Sequence, residues 1–73
     1  KEVIKLNFNK YQKGEIVQLY ETKFSCNRNC IVTYADEKEI VLMYYDKEIK
    51  ELIYKTLTKE DLIFNDYELK LLS

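Results

Sequence analysis

The sequence predicts a mainly β protein: a small antiparallel barrel or rolled sheet of five to six strands, with one short helical turn near residues 58–63. Apolar and polar side chains alternate over short runs along most of the chain, as they do in half-buried strands. Polar turns separate these runs at short intervals. The 73 residues include one glycine and no proline, so Asn, Asp and charged residues must form most of the turns.

The length predicts a single small β-rich domain over residues 1–73. A chain of this size buries only about 60% of the surface that it exposes when unfolded, so its core is small. Hydrophobic residues make up 47% of the chain and charged residues 34%, which is a globular balance. Because small domains often gain stability from a partner, homo-oligomerisation is one alternative.

Alternation predicts the first two strands. Residues 3–8 carry apolar side chains at every second position, and residues 9–14 form a polar turn in which Gly14 can adopt a positive φ at no steric cost. The same alternation predicts a strand over residues 15–22. Residues 23–29 are predicted to be a loop, since they are polar and rich in asparagine.

The middle of the chain predicts a hairpin. Residues 30–35 are rich in β-branched side chains and form the third predicted strand. A polar turn at 36–38 leads to residues 40–45, which are apolar on both faces and therefore belong inside the sheet, between two other strands. Alternation over residues 67–71 predicts the closing strand.

Residues 47–57 allow two predictions. Some of their apolar positions have helical spacing, which gives an alternative α+β fold with a helix at 47–57; these positions are Ile49, Leu52, Ile53 and Leu57. The same residues can form a strand after a turn at 46–50. We favour the strand, because a strand at 40–45 needs a neighbour on each side and the next segment is the nearest candidate.

Thr58 and Asp61 have the spacing of a capping box, which predicts the single helical turn before the last strand. Five or six short strands with one helical turn before the last of them make an SH3-like layout. This is an analogy of layout alone, since no motif in the chain identifies a family.

The composition argues against catalysis. The chain has no histidine, which removes the commonest general base and metal ligand. One glycine cannot build a glycine-rich phosphate loop. We therefore expect no enzymatic activity, no catalytic residues, no cofactor and no metal site. The 12 basic and 13 acidic residues nearly balance, which does not favour binding to duplex nucleic acid.

Cys26 and Cys30 are the only local pair with thiol chemistry. The interpretation that we favour is two thiols flanking a loop, with Cys30 buried as a small apolar residue. The alternatives are a redox-sensitive disulfide and a metal site shared between two subunits. The sequence leaves the redox state of the pair open.

Seven tyrosines and a single arginine, Arg28, suggest a recognition surface. Tyrosine combines a large apolar body with a polar tip, and arginine forms planar contacts at binding hot spots. Arg28 is placed at the tip of the predicted loop, and Tyr44 and Tyr45 must point to opposite faces of their strand. The predicted partner-binding residues are Tyr20, Arg28, Tyr44, Tyr45 and Tyr54.

Acidic residues outnumber basic ones after residue 35. We interpret most of them as solubilising turn residues. The alternative is an acidic face that imitates a phosphate backbone and blocks a nucleic-acid-binding partner.

These observations favour a small non-enzymatic protein-binding module in the cytoplasm, with no membrane association. Frequent Lys, Ile, Asn, Glu and Tyr and a single alanine indicate an AT-rich genome, so one hypothesis is a phage or mobile-element accessory protein that binds and inhibits a host protein. A second hypothesis is single-stranded nucleic-acid binding on a tyrosine-bearing face, with Lys10, Lys13, Lys23 and Arg28. A third is a structural homo-oligomer whose strand edges pair.

Overall fold

The computed structural model of the protein describes residues 8–64 and 66–72. These residues form a short 3-10 helix (Phe8–Lys10), five strands and one α-helix. The elements are β1 (Ile16–Glu21), β2 (Cys26–Ala35), β3 (Glu39–Asp46), β4 (Glu51–Thr58), α1 (Lys59–Ile63) and β5 (Tyr67–Leu71). The mainly β prediction is confirmed.

The five strands form one antiparallel sheet in the order β4-β3-β2-β1-β5. Strands β1 to β4 each pair with the next along the chain, and β5 returns to the free side of β1. The sheet curves so that α1 contacts both edge strands. Within the described residues no ladder joins β4 to β5, so the sheet is open. Of the two predicted forms, a barrel or a rolled sheet, the barrel is therefore not formed.

One face of the sheet, the inner face, carries the core. Eight side chains there are almost completely buried: Phe8, Val17, Leu19, Cys30, Val32, Ile40, Leu42 and Leu57. Their positions in β1 to β4 follow the two-residue period of a strand, because successive side chains point to opposite faces. A register shift between Val32 and Tyr34 marks a bulge in β2, which bends the strand and increases its twist.

The alternative helix at 47–57 is wrong. Residues 47–50 form a turn, and β4 pairs with β3 along its whole length, from Asp46 opposite Glu51 to Glu39 opposite Thr58. Backbone pairing with an apolar strand outweighs helical spacing here, because a helix would leave one side of β3 unpaired.

The predicted loop at 23–29 is also wrong in extent. The turn occupies residues 22–25, with Ser25 at a φ of 49°, and β2 begins at Cys26. The asparagine-rich segment at 26–29 is part of β2 because each of its residues has a partner on β1; Asn27 lies opposite Tyr20, and Asn29 lies opposite Gln18. The predicted strand at 3–8, the sixth strand of that expectation, lies outside the described residues except for Phe8.

Two aspartates shape the hairpin connections on either side of β3. The Asp36 carboxylate accepts hydrogen bonds from the backbone N–H groups of Lys38 (2.7 Å) and Glu39 (2.9 Å), which confirms the hairpin turn. Asp46 accepts a bond from the backbone N–H of Glu48 at 2.9 Å in the next hairpin. Side chains of this kind imitate a backbone turn.

The helical turn near 58–63 is confirmed. Oδ2 of Asp61 accepts hydrogen bonds from the backbone N–H of Thr58 at 2.8 Å and from its hydroxyl at 3.2 Å. These bonds secure the start of α1, as the capping-box spacing predicts. In the described part of the chain no helix has both the length and the apolar character to cross a membrane.

Candidate partner-binding surfaces

The structure divides the five predicted contact residues between the two faces of the sheet. Arg28 and Tyr44 lie on the inner face, at the end that the apolar core does not fill. Tyr20, Tyr45 and Tyr54 lie on the opposite, outer face. Tyr44 and Tyr45 therefore point in opposite directions, as a strand requires, and a single platform made of all five residues is not formed.

Arg28 and Tyr44 are in direct contact. The guanidinium carbon of Arg28 lies 4.6 Å from the centre of the Tyr44 ring, which is cation–π geometry. Nε of Arg28 lies 3.6 Å from a carboxylate oxygen of Glu21, and this buried nitrogen makes no hydrogen bond. Arg28 is thus held in the sheet and is not the tip of a loop, which corrects the sequence-based interpretation.

A second cation–π contact lies on the same face. The amine of Lys55 on β4 is 4.7 Å from the ring centre of Tyr67 on β5, so this pair bridges the two edge strands. A hydrogen bond with the Tyr67 side chain raises the pKa of Lys55 despite its partial burial. Both cation–π contacts lie on the inner face, where Tyr44 and Tyr67 also pack against the core.

The outer face carries a group of apolar side chains, all exposed except the half-buried Met43, which we call the outer patch: Ile31, Met43, Tyr45, Leu52 and Tyr54. Strand register makes it contiguous, because Met43 lies opposite both Ile31 and Tyr54, and Tyr45 lies opposite Leu52. The exposed fractions are 55% for Tyr45 and Leu52 and 62% for Tyr54. Contiguous apolar surface of this kind is characteristic of interaction sites.

Tyr20 does not belong to this patch. It is half-buried on β1, opposite Asn27 on β2 and Glu68 on β5. Two strands therefore separate it from Tyr54, and its immediate neighbours are polar. The predicted tyrosine platform is reduced to Tyr45 and Tyr54.

An open depression connects the two faces where β2 begins and β3 ends. Its volume is about 830 Å³, and its lining includes Arg28 and Tyr44 from the inner face and Tyr45 from the outer face. Asp46 and Lys47 contribute opposite charges to its rim. The depression brings three of the predicted residues onto one continuous surface, although their side chains leave the sheet on different sides.

The cysteines are free thiols on the same face of β2. Because residues 26–30 are strand, the Cα atoms of Cys26 and Cys30 are about 13 Å apart, too far for a disulfide within the chain. Cys30 is buried in the core, and burial raises the pKa of its thiol to about 11. The interpretation of Cys30 as a small apolar core residue is confirmed. Across residues 8–64 and 66–72, His, Cys, Asp and Glu form no group of three or more that could hold a metal ion.

Sequence reasoning missed the aliphatic half of the outer patch: Ile31, Met43 and Leu52. The sequence did contain a sign of this: alternate residues of a strand share a face, so Ile31 lies on the same face of β2 as the polar Asn29. It could not be interpreted without the register, which shows that Ile31, Met43 and Tyr54 form one row across three strands.

No protein-family model matches this chain, and no curated protein or solved structure is similar to it. A fold alone does not define a function, which depends on the chemistry of specific surface residues. The two candidate features are the outer patch and, on the opposite face of the sheet, the Arg28–Tyr44 contact.

Proposed function

We propose that this protein is a small non-enzymatic protein-binding module that contacts its partner through the outer patch. The observation that carries the proposal is the row of exposed apolar and aromatic side chains across β2, β3 and β4. Tyrosine and methionine are enriched in the centres of protein–protein interfaces, where charged side chains are scarce. Tyr45 and Tyr54 would supply most of the contact area.

The surroundings of the patch favour a protein over a nucleic acid. The outward side chains of β2, β3 and β4 include no lysine or arginine, and the nearest polar ones are amides and hydroxyls such as Asn29 and Thr56. Nucleic-acid surfaces require cations to follow the phosphates. We therefore expect the partner to present a largely uncharged apolar surface with hydrogen-bonding groups at its edge.

The cations considered for single-stranded nucleic acid are dispersed. Lys10 and Lys13 precede β1, Lys23 lies in the turn after it, and Arg28 is engaged by Glu21 and Tyr44 on the inner face. They do not line one track beside the outer patch. This arrangement supports protein binding as the better of the two hypotheses.

We extend the proposal to biological role and layout. The AT-rich composition, small size and exposed recognition surface are consistent with a phage or mobile-element accessory protein that binds a host protein and inhibits it. The layout in this proposal is SH3-like only in its number of strands and in the position of α1 before the last strand, and its sheet is open.

A patch variant tests the proposal. Ile31→Thr combined with Tyr45→Thr removes apolar contact area and places threonine, a β-branched residue that suits a strand, at both positions. Wild-type and variant proteins, each verified as folded by circular dichroism, are used to capture partners from lysates of AT-rich bacteria, with nuclease present. The matched control is Ile63→Thr, which removes an exposed apolar side chain (58% exposed) on α1, away from the patch.

The expected result is a stoichiometric protein that wild type and the Ile63 variant retain and the patch variant loses. Purified partner should then bind wild type at least about tenfold more tightly than the patch variant, as loss of a hot-spot tyrosine implies. Equal retention by all three proteins would refute the assigned surface. Partners that disappear on nuclease treatment would favour nucleic-acid binding instead.

A further inference from the structure

Strand β4 has an open edge. It pairs with β3 on one side, and no other strand in the described part of the chain pairs with its second side. An unpaired edge presents backbone N–H and C=O groups to any strand that can align with it. Leu52 and Tyr54 on this edge are 55% and 62% exposed, so a strand placed there would also bury apolar surface.

The sequence of β4 is complementary to itself. Residues 51–55 read Glu-Leu-Ile-Tyr-Lys. Leu52 and Tyr54 point outward, and the three alternate residues point inward. In an antiparallel pair related by a two-fold axis at Ile53, Glu51 faces Lys55 of the second copy, and Leu52 faces Tyr54 of the second copy. Each of these pairs occurs twice.

The register is specific. With the axis at Tyr54, Glu51 would face an apolar leucine and Lys55 would face Ile53 of the second copy. With the axis at Leu52, Glu51 would face Ile53 of the second copy. Only the axis at Ile53 places opposite charges together and apolar side chains together, and such cross-strand pairs stabilise a sheet whereas like charges destabilise it.

We propose that the protein self-associates through β4 as a two-fold dimer centred on Ile53, with a second copy of this chain as the occupant of the edge. The two sheets then continue into one another. The two outer patches join through the Leu52–Tyr54 contacts, so that the dimer presents one larger apolar surface. Isologous contact of this kind closes on itself and gives a dimer, not a fibre.

The other edge strand is the competing candidate. Residues 67–71 of β5 would also place Glu68 opposite Lys70 of a second copy if the axis lay at Leu69. Tyr67 and Leu69 already pack against the core of their own chain, whereas Leu52 and Tyr54 are exposed. Pairing at β4 therefore buries more new apolar surface, and the test separates the two edges.

Charge reversal provides the test, with sedimentation velocity over the micromolar range as the assay. Glu51→Lys places two lysines opposite each other, and Lys55→Glu places two glutamates opposite each other. Each single variant should weaken dimerisation about tenfold or more, since two attractive pairs become repulsive. An equimolar mixture of the two variants should restore dimers, because every contact then joins a lysine to a glutamate. The control, Glu68→Lys on β5, should dimerise like wild type.

Several outcomes would overturn the proposal: a monomeric wild-type protein throughout the range, dimers unaffected by Glu51→Lys, or loss of dimers in Glu68→Lys instead. Lys55 also contacts Tyr67, so Lys55→Glu could destabilise the fold as well as the dimer. A second measurement therefore tests the dimer without changing Lys55. Ile53→Cys in a Cys26→Ser background should form a crosslinked dimer with oxidised glutathione, and Lys47→Cys should not. This test does not alter Ile31 or Tyr45, so it can fail independently of the proposed partner binding.

Discussion

The contact between Arg28 and Tyr44 should be measurable as a coupling energy in the stability of the protein. The guanidinium lies 4.6 Å from the ring centre, and the Arg28 side chain is 32% exposed. Cation–π contacts contribute about 0.5–1 kcal/mol at exposed sites and about 2 kcal/mol when desolvated. A partly buried pair should therefore contribute about 1 kcal/mol to the free energy of unfolding.

The experiment is a double-mutant cycle with Arg28→Met and Tyr44→Leu, measured by urea unfolding. Arg28→Met leaves the largely buried carboxylate of Glu21, 13% exposed, without its ion partner, so this single variant should lose more than the contact itself. That additional loss occurs both in the single and in the double variant, and it cancels in the cycle. The coupling that remains reports the contact between the guanidinium and the ring.

The control repeats the cycle with Tyr45→Leu. Tyr45 is the next residue along β3 but lies on the outer face, where it cannot reach Arg28. Its coupling to Arg28→Met should be below about 0.3 kcal/mol, as for residues that share no contact. Equal couplings at the two tyrosines, or no coupling at Tyr44, would show that the stack does not form in solution.

Three further predictions concern single side chains. At pH 8 a thiol reagent should modify Cys26 quickly and Cys30 only after unfolding, since burial raises the pKa of Cys30 to about 11. Rapid modification of both cysteines in the native protein would contradict this prediction. Asp61→Ala should lower the free energy of unfolding by about 1 kcal/mol and the melting temperature by about 5 °C, whereas Glu60→Ala, in the same turn, should change little. The hydroxyl of Tyr34 and two backbone N–H groups lower the pKa of Asp36, so its stabilising effect is present at neutral pH and lost as the pH falls below about 4. In Asp36→Asn the free energy of unfolding should therefore fall less steeply as the pH is lowered below about 4. An unchanged pH dependence would argue against these hydrogen bonds.

The local features of the fold were predictable because they depend on neighbouring residues. Alternation located β1 and β5, a run that is apolar on both faces located β3, and the spacing of Thr58 and Asp61 located α1. Side-chain direction within a strand was equally predictable, since Tyr44 and Tyr45 must face opposite ways. Each of these statements requires only a few consecutive residues.

The errors occurred where pairing between distant segments overrides local preference. Residues 26–29 resemble a loop, but β1 offers them a full set of hydrogen-bonding partners. Residues 47–57 have helical spacing, but β3 requires a strand beside it. The open sheet in place of a barrel is also a tertiary outcome, because closure depends on whether β4 and β5 can align.

The candidate site also has one part that the sequence predicts and one part that only the tertiary structure decides. Composition predicted that tyrosine and arginine form a recognition surface, and two of the residues that it named, Tyr45 and Tyr54, are exposed neighbours on the outer face. Only the register assembled the outer patch by adding Ile31, Met43 and Leu52 to them, and only packing assigned Arg28 to the inner face.

The sequence by itself determined that the chain forms short strands, which side chains share a face within each strand, and where the helical turn begins. The tertiary structure decided which strands are neighbours, which of the two faces is buried, and which edge remains open. The physical reason is that side-chain alternation and capping act over a few residues, whereas hydrogen bonding between strands and burial of a common core join segments far apart in the chain.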